Sequence, residues 1–315
     1  MDFSYTVMNS YSDEGGVFYS IDNYYTKILL DSTEFLENSS KENLISAIYT
    51  ANFMIKNVTL RDNKNMLFFL PSSNLYFEQS YVGNLECTNL ISGCLAYASE
   101  LSTLTIKEMI FKNISHLLLE GGIKLDHSFL KLDKANFFLI RNQERTGSCI
   151  FGSFSSVFIN YSIFEDFDSG CIYLQNSILE INSSFFLKLQ RKEDEFRFQM
   201  VYSCILCDTC SSFKLSSSVF YMNKFADKGG AISLILSDRN QRKLIFDYSI
   251  SECFFLENQA FEDGGAIYFI FGSLTIRNCS FILNQAKNGG AIFYQNQFKH
   301  NFLLFLLTSF FYLLI

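Results

Sequence analysis

Short runs of alternating hydrophobic and polar residues follow one another along the chain, and Gly or Asn separates most of them. Runs such as SSVFYMN, AISLIL and GSLTIRNCSFILN are rich in the β-branched and aromatic residues that favour strands. Alternation with a period of two places every second side chain on the same face of a strand. The pattern therefore predicts an all-β chain of many short strands.

A repeat with a fixed internal order dominates the last third of the chain. A Phe is followed three residues later by an Asn, and five or six residues after that by Gly-Gly-Ala-Ile. A fourth copy near the start has Asn9, Gly15 and, in place of the Ala, Val17. The three complete copies are Phe220, Asn223, Gly229, Gly230, Ala231 and Ile232; Phe255, Asn258, Gly264, Gly265, Ala266 and Ile267; and Phe281, Asn284, Gly289, Gly290, Ala291 and Ile292.

Weaker copies in the middle of the chain keep only a small residue followed by an aliphatic one. A further degenerate copy is expected at residues 65–70. A repeat of about 22–30 residues with insertions suits a β-helix and is too short for tetratricopeptide units. The weaker copies are Ala47-Ile48, Cys94-Leu95, Gly122-Ile123, Cys149-Ile150, Cys171-Ile172 and Cys204-Ile205.

Each element of the repeat has a role in a stack of coils. Gly-Gly allows a tight corner with positive φ, and the small residue after it lets successive coils approach. An Asn repeated at one corner can form a ladder of amides, and the repeated Phe can form a ladder of rings. Parallel strands stack about 4.8 Å apart. The sequence thus predicts a right-handed parallel β-helix, a solenoid of about ten coils over residues 1–297.

The Phe-x-x-Asn and Gly-Gly-Ala-Ile pattern resembles the repeat of polymorphic outer-membrane proteins. It is also similar to repeats in large surface proteins of microbial eukaryotes, and both groups belong to the pectin-lyase-like β-helices. The specific match covers residues 5–20 and 218–295. The resemblance implies surface display, adhesion or a structural role, and it brings no catalytic residues.

The two ends of the chain suggest a piece of a longer surface protein. The first residues, MDFSYTVMNS, do not form a signal peptide, and the chain begins inside a repeat. The tail, residues 298–315, is strongly apolar from Phe302 and shorter than the roughly 20 residues of a spanning helix. A short helix from a truncated transmembrane segment, a lipid-anchor signal and a truncated gene remain open for the tail. We expect a cell-surface or membrane-associated, extracellular-facing location.

Charge and motifs restrict the partners. A net charge of −7 argues against nucleic-acid binding, and no cofactor or metal motif is present. We expect a protein or glycan partner along one flank, and a membrane contact only through the tail. The polar insertions at residues 190–199 and 237–243 are candidate binding loops, although simple solvated loops explain them as well.

The nine cysteines are expected to pack rather than to react. Four of them occupy the small position of the repeat, while Cys253 and Cys279 each precede a repeat Phe by two residues. The last two would approach disulfide range in an extracellular chain. Cys204, Cys207 and Cys210 have metal-like spacing, but no second pair completes a zinc site.

Six Asn-x-Ser/Thr sequons are candidate glycosylation sites, although a chain so rich in Asn and Ser contains several by chance. They are Asn38, Asn57, Asn113, Asn160, Asn182 and Asn278.

The alternative function is a polysaccharide lyase or glycoside hydrolase, which requires clustered carboxylates. The acidic residues Asp133, Asp166, Asp168 and Asp208 are scattered in the sequence. Asp126 stands beside His127, but neighbours in a strand face opposite ways. The sequence therefore predicts a non-enzymatic structural or adhesive segment. A groove with three carboxylates and a Lys or Arg would favour the enzyme, and a face of Ser, Asn and aromatic residues would favour the binder.

Overall fold

A computed structural model describes residues 5–8, 11–12, 18–21, 27–48, 52–87, 94–116, 122–142, 148–168, 170–189, 203–224, 226–236, 247–270 and 272–295. These residues form strands, turns and connecting segments, and they contain no helix. The chain divides into two compact units, residues 1–156 (unit 1) and 157–315 (unit 2). Both units consist of coils of a right-handed parallel β-helix, so the predicted fold class is confirmed.

One coil contributes one strand to each of three parallel sheets. In unit 1, strand Thr103–Lys107 belongs to the first sheet, Ile110–His116 to the second and Ile123–Asp126 to the third. Each strand pairs in parallel with its counterpart one coil later; Thr103, for example, pairs with Phe129. The alternation of the sequence therefore separates the side chains into an inner column and three outer faces.

Unit 1 contains five first-sheet strands and longer, less regular strands in the other two sheets. A short strand, Tyr11–Ser12, pairs with the start of Ser39–Ile48. The first sheet contains Lys27–Asp31, Asn52–Lys56, Asn74–Glu78, Thr103–Lys107 and Phe129–Asp133; the second contains Tyr5–Met8, Thr33–Leu36, Thr59–Arg61, Tyr81–Cys87, Ile110–His116 and Asn136–Asn142; the third contains Phe18–Ile21, Ser39–Ile48, Lys64–Pro71, Ala96–Ser99, Ile123–Asp126 and Ser148–Ser153.

Unit 2 repeats the same three-strand coil with shorter second strands. A two-stranded ladder, Ala226–Lys228 with Ala260–Asp263, lies before the third sheet in two of the coils. The first sheet contains Ser156–Asn160, Ile178–Asn182, Ser212–Ser216, Asp247–Ser251 and Ser273–Arg277; the second contains Ile163–Phe167, Phe185–Leu187, Val219–Tyr221, Phe254–Leu256 and Ser280–Ile282; the third contains Gly170–Gln175, Ile205–Asp208, Ile232–Ile235, Ile267–Phe269 and Ile292–Tyr294.

A column of stacked phenylalanine rings fills the second-sheet side of the core in unit 2. Successive ring centroids lie 4.8, 4.8, 5.1 and 4.8 Å apart, and neighbouring rings are within 9° of parallel. Parallel pairing sets this spacing, because it repeats each residue at the strand separation. The column contains Phe164, Phe186, Phe220, Phe255 and Phe281. The last three are the Phe residues of the sequence repeat.

The two glycines of each complete repeat have different structural roles. Gly229 and Gly264 have φ of 63° and 66°, a left-handed conformation that glycine adopts without strain. The second glycine lies against the next coil, since a Cβ on Gly230 would stand 2.3 Å from the carbonyl oxygen of Gly265. Ala231 then donates its N–H to the carbonyl of the equivalent Ala266 at 3.0 Å.

Buried side chains satisfy the backbone at the corners. After the second sheet of unit 2, Asn223 Nδ2 donates to Asn258 Oδ1 at 2.9 Å, and Asn258 Nδ2 donates to Asn284 Oδ1 at 3.0 Å. After the first sheet, the N–H of Ser184 donates to Ser218 Oγ at 3.1 Å. These ladders pair polar groups that would otherwise be buried without partners.

The repeat register of the weaker copies in unit 1 differs from the predicted one. Ile45 pairs with Phe68, and Ala96 pairs with Ile123, so the repeat positions there are Leu44-Ile45 and Leu95-Ala96. The predicted positions Ala47 and Cys94 were wrong because Leu44 and Leu95 are buried where a small residue was required. The degenerate copy at residues 65–70 is present, since Phe68 also pairs with Ala96.

The predicted tail helix at residues 298–315 lies outside the described residues. Within the described ranges, no helix of sufficient length and apolar character to cross a membrane is found.

Candidate interaction surface

The second sheet of unit 2 also presents apolar side chains outward, on the face opposite the inner phenylalanine column. Strands Phe185–Leu187, Val219–Tyr221 and Phe254–Leu256 each place one Phe inward and two apolar residues outward. A half-exposed strand normally alternates apolar and polar residues. These strands do not follow that alternation, and packing of the core does not explain why their outward residues are apolar.

The outward residues form a continuous row because the strands are in parallel register. Phe185 pairs with Val219 and then Phe254, and Leu187 pairs with Tyr221, Leu256 and Ile282 in turn. Phe185, Phe254 and Ile282 expose 44%, 54% and 40% of their surfaces. We call these seven residues the apolar row. At about 4.8 Å per strand, it extends over about 15 Å of the stack.

The outer faces of the other sheets mix polar and apolar residues; Leu29, Tyr76 and Ile110 of unit 1, for example, are also exposed. In unit 2, the first sheet presents Ser249 and Thr275 at positions where the second sheet presents apolar residues. In unit 1, the second sheet presents Thr59, Arg61 and Lys112 outward. The apolar row is distinguished by two outward apolar positions on each of three successive strands.

Charged groups border the apolar row. Lys188 Nζ lies 2.8 Å from Glu165 Oε1 at one end, and this hydrogen bond raises the pKa of Lys188. Further along, Ser217 Oγ donates to Glu252 Oε2 at 3.0 Å. An apolar strip with a polar rim is the composition of a protein-binding surface.

The acidic residues considered for catalysis occupy unlike environments. Asp133 is the last residue of the first-sheet strand Phe129–Asp133 in unit 1, and it pairs with Lys107 of the preceding coil. Asp166 lies within strand Ile163–Phe167 of unit 2 and has a left-handed φ of 61°. Asp208 is buried and accepts a hydrogen bond from the hydroxyl of Thr209 at 2.8 Å. Within the described ranges, no three His, Cys, Asp or Glu side chains come together as a metal site.

Tyr248 is a buried titratable side chain of unit 2. Its hydroxyl donates to the carbonyl of Cys210 at 2.9 Å. Burial and the charge of Asp208 raise its pKa well above that of a free tyrosine. A tyrosine held in its protonated form in this way is a structural donor rather than a base.

Asp126 and His127 are partners, contrary to the expectation that they face opposite ways. His127 Nδ1 lies 2.8 Å from Asp126 Oδ1, and its ring stacks on Phe154 at 4.9 Å. The expectation was wrong because His127 follows the last residue of the strand, Asp126, at a left-handed corner, with φ of 48°. Strand alternation does not apply there. The hydroxyl of Ser153 also donates to Asp126 Oδ1, at 3.2 Å.

Four of the nine cysteines form disulfides, and five do not. The disulfides join Cys87 to Cys94 and Cys207 to Cys210. Because Cys207 and Cys210 are bonded to each other, the motif does not present three thiolates to a metal. The cysteines outside disulfides are Cys149, Cys171, Cys204, Cys253 and Cys279.

The sequons differ in accessibility. Asn38 is completely buried, and its N–H donates to Asn63 Oδ1 at 2.9 Å in a corner ladder of unit 1. The folded chain therefore leaves no room for a glycan at Asn38. Asn57, Asn113 and Asn278 are exposed at left-handed corners, whereas Asn160 and Asn182 are half-buried.

Both predicted polar binding loops, residues 190–199 and 237–243, lie outside the described residues. The apolar row was not anticipated from the sequence. Its signal was present: the residues beside the repeat Phe in FFL, VFY and FFL are themselves apolar.

Comparison with known proteins yields only distant structural similarity. No family model and no curated protein matches the chain. A catalytic domain of a GH87 α-1,3-glucanase in complex with nigerose is similar at 10% identity and a TM-score of 0.33, over 89% of this chain and 64% of that one. The Streptococcus pneumoniae surface protein and adhesin PfbA is similar at 11% identity and a TM-score of 0.26, over 84% of this chain and 91% of that one. The chain spans about 64% of the length of the glucanase domain.

Proposed function

We propose that this chain is a non-enzymatic β-helix segment of a cell-surface protein and that it adheres to a protein partner through the apolar row. The exposed apolar side chains of Phe185, Phe254 and Ile282, aligned on neighbouring strands of one sheet, carry the proposal. Exposed apolar surface of this kind is costly in water unless a partner covers it.

A protein surface fits the apolar row better than a glycan does. Leu187, Val219 and Leu256 have aliphatic side chains that offer no hydrogen bond to sugar hydroxyls. Phe and Tyr at the centre of a desolvated patch are typical anchors of protein interfaces. The charged rim of Glu165, Lys188 and Glu252 would then orient the partner.

The proposed location is the outer surface of the cell, in a secreted or membrane-anchored protein. Two disulfides in the described residues support an oxidising compartment. Antibodies raised against the purified chain should label intact, unpermeabilised cells. Labelling only after permeabilisation would contradict the location.

Adhesion is tested with beads that carry the purified chain, applied to monolayers of intact cells. Phe185→Ser with Phe254→Ser should reduce the number of bound beads at least about tenfold, because interface anchors of this kind each contribute more than 1 kcal/mol. The matched control is Ser249→Ala with Thr275→Ala on the polar first sheet, which should bind as the wild type does. Equal binding by both variants would reject the apolar row as the adhesive surface.

A further inference from the structure

Two free thiols on neighbouring coils of unit 2 are in direct contact. The thiol of Cys204 donates to Cys171 Sγ, and the sulfurs are 3.3 Å apart. Both residues are buried: Cys204 exposes 0% of its surface and Cys171 exposes 2%. Neither takes part in the disulfides Cys87–Cys94 and Cys207–Cys210.

The backbone already holds these residues where a disulfide needs them. Ile172 pairs with Ile205, so Cys171 and Cys204 are opposite each other, and the N–H of Cys171 donates to the carbonyl of Cys204 at 2.9 Å. Opposite residues in neighbouring parallel strands have Cα atoms about 4.8 Å apart, within the range of disulfides. A closure of about 1.2 Å between the sulfurs would form the bond.

Packing alone does not account for two cysteines here. In the coils that follow, the same position is occupied by Ala231 and Ala266, both fully buried. A methyl group is therefore sufficient to fill the column. Cysteine occupies this position of the repeat in three successive copies, as Cys149, Cys171 and Cys204, and the last two are the pair in contact.

We infer that Cys171 and Cys204 form a third disulfide, which joins two neighbouring coils of unit 2. Each thiol loses one proton and one electron as the sulfur–sulfur bond forms. A small-molecule disulfide such as oxidised glutathione takes up the two electrons and two protons and becomes two thiols. The new bond closes a loop over a sequence separation of 33 residues.

The burial of the pair determines at which stage of folding the two thiols can be oxidised. Burial raises the pKa of Cys171, and a protonated thiol shielded from solvent exchanges slowly with an external disulfide. The bond therefore forms while the coils assemble, before the position is covered. Protein folded in a reducing buffer and oxidised afterwards should gain the bond slowly.

The test uses the full chain refolded in a mixture of reduced and oxidised glutathione. Free thiols are alkylated under denaturing, non-reducing conditions, and tryptic peptides are analysed by mass spectrometry. Cys149→Ala is introduced first, because the tryptic peptide of residues 146–188 contains both Cys149 and Cys171. The expected product joins this peptide to residues 198–214, and Cys171→Ala should abolish it.

A stability measurement complements the mass spectrometry. Reductant should lower the Tm of the Cys149→Ala protein by on the order of 5 °C more than that of the same protein with Cys171→Ala and Cys204→Ala. A control with Cys253→Ser and Cys279→Ser should keep the joined peptide. Complete alkylation of both Cys171 and Cys204 in the refolded protein would overturn the inference.

Discussion

Cys253 takes the place in its coil that Ser218 takes one coil earlier. The Ser218 hydroxyl donates to the carbonyl of Ser216 at 2.7 Å, and the Cys253 thiol donates to the carbonyl of Ser251 at 3.1 Å. Each side chain also accepts from the backbone, because Ser184 donates its N–H to Ser218 Oγ as Ser218 donates its N–H to the Cys253 sulfur. The hydroxyl and the thiol are therefore members of one corner ladder.

Substitutions in this ladder should depend on the polar atom that is kept. Cys253→Ser preserves the donor and the acceptor, so the free energy of unfolding should change by less than about 1 kcal/mol. Ser218→Ala leaves the buried N–H of Ser184 without its acceptor and should cost about 1–3 kcal/mol. Urea denaturation of the two variants measures the difference. A larger loss for Cys253→Ser than for Ser218→Ala would contradict the shared ladder.

The asparagine ladder should be the most sensitive of the corners. Asn258 donates to Asn284 Oδ1 and to the carbonyl of Phe220, both at 3.0 Å, and it accepts from Asn223. Asn258→Leu removes these bonds and leaves buried polar groups unpaired, at a cost of about 3 kcal/mol or more. Asn52→Leu, on an exposed strand position of unit 1, is the matched control and should cost less than about 0.5 kcal/mol. Similar losses for both, measured by thermal denaturation, would argue against the ladder.

The complete repeats made the architecture predictable from the sequence. Their fixed spacing requires coils of equal geometry, and the conserved order of Phe, Asn and Gly-Gly within the chain identifies the interior and the corners. Unit 1 was less predictable because Leu44 and Leu95 occupy positions that are small in the complete repeats. The register could then be read only from the backbone pairing of Ile45 and Ala96.

The candidate surface was harder to anticipate than the fold. The alternation that predicts strands assigns outward positions to polar residues, so it does not predict that Phe185 and Phe254 face outward. Left-handed corners cause a second kind of error, because they redirect one side chain relative to the strand before it. The contact of His127 with Asp126 depends on such a corner.

Glu108 is expected to titrate below the usual range of a glutamate. The hydrogen bond from Gln79 lowers its pKa most, and the hydrogen bond and charge of Lys134 lower it further. A depressed pKa in the folded state stabilises the fold above the pKa of the unfolded chain, and this contribution disappears as the pH falls through the folded pKa. Gln79→Leu should raise the Glu108 pKa more than Lys134→Met does, as followed by carboxyl NMR. Lys27→Met, three coils away, should leave it unchanged.

The second glycine of the repeat provides the sharpest test of coil stacking. A Cβ on Gly265 would lie 2.0 Å from the carbonyl oxygen of Gly290 and 2.5 Å from the N of Gln285, both backbone atoms of the next coil. Gly265→Ala should therefore force the coils apart and cost about 2–4 kcal/mol of unfolding free energy. At Gly290 the nearest atom to an added Cβ is the carbonyl oxygen of Asn284, at an ordinary 3.5 Å. Gly290→Ala should be neutral or slightly stabilising, because it restricts the unfolded chain. Equal destabilisation by the two substitutions would show that the pair serves the corner conformation and not the contact between coils.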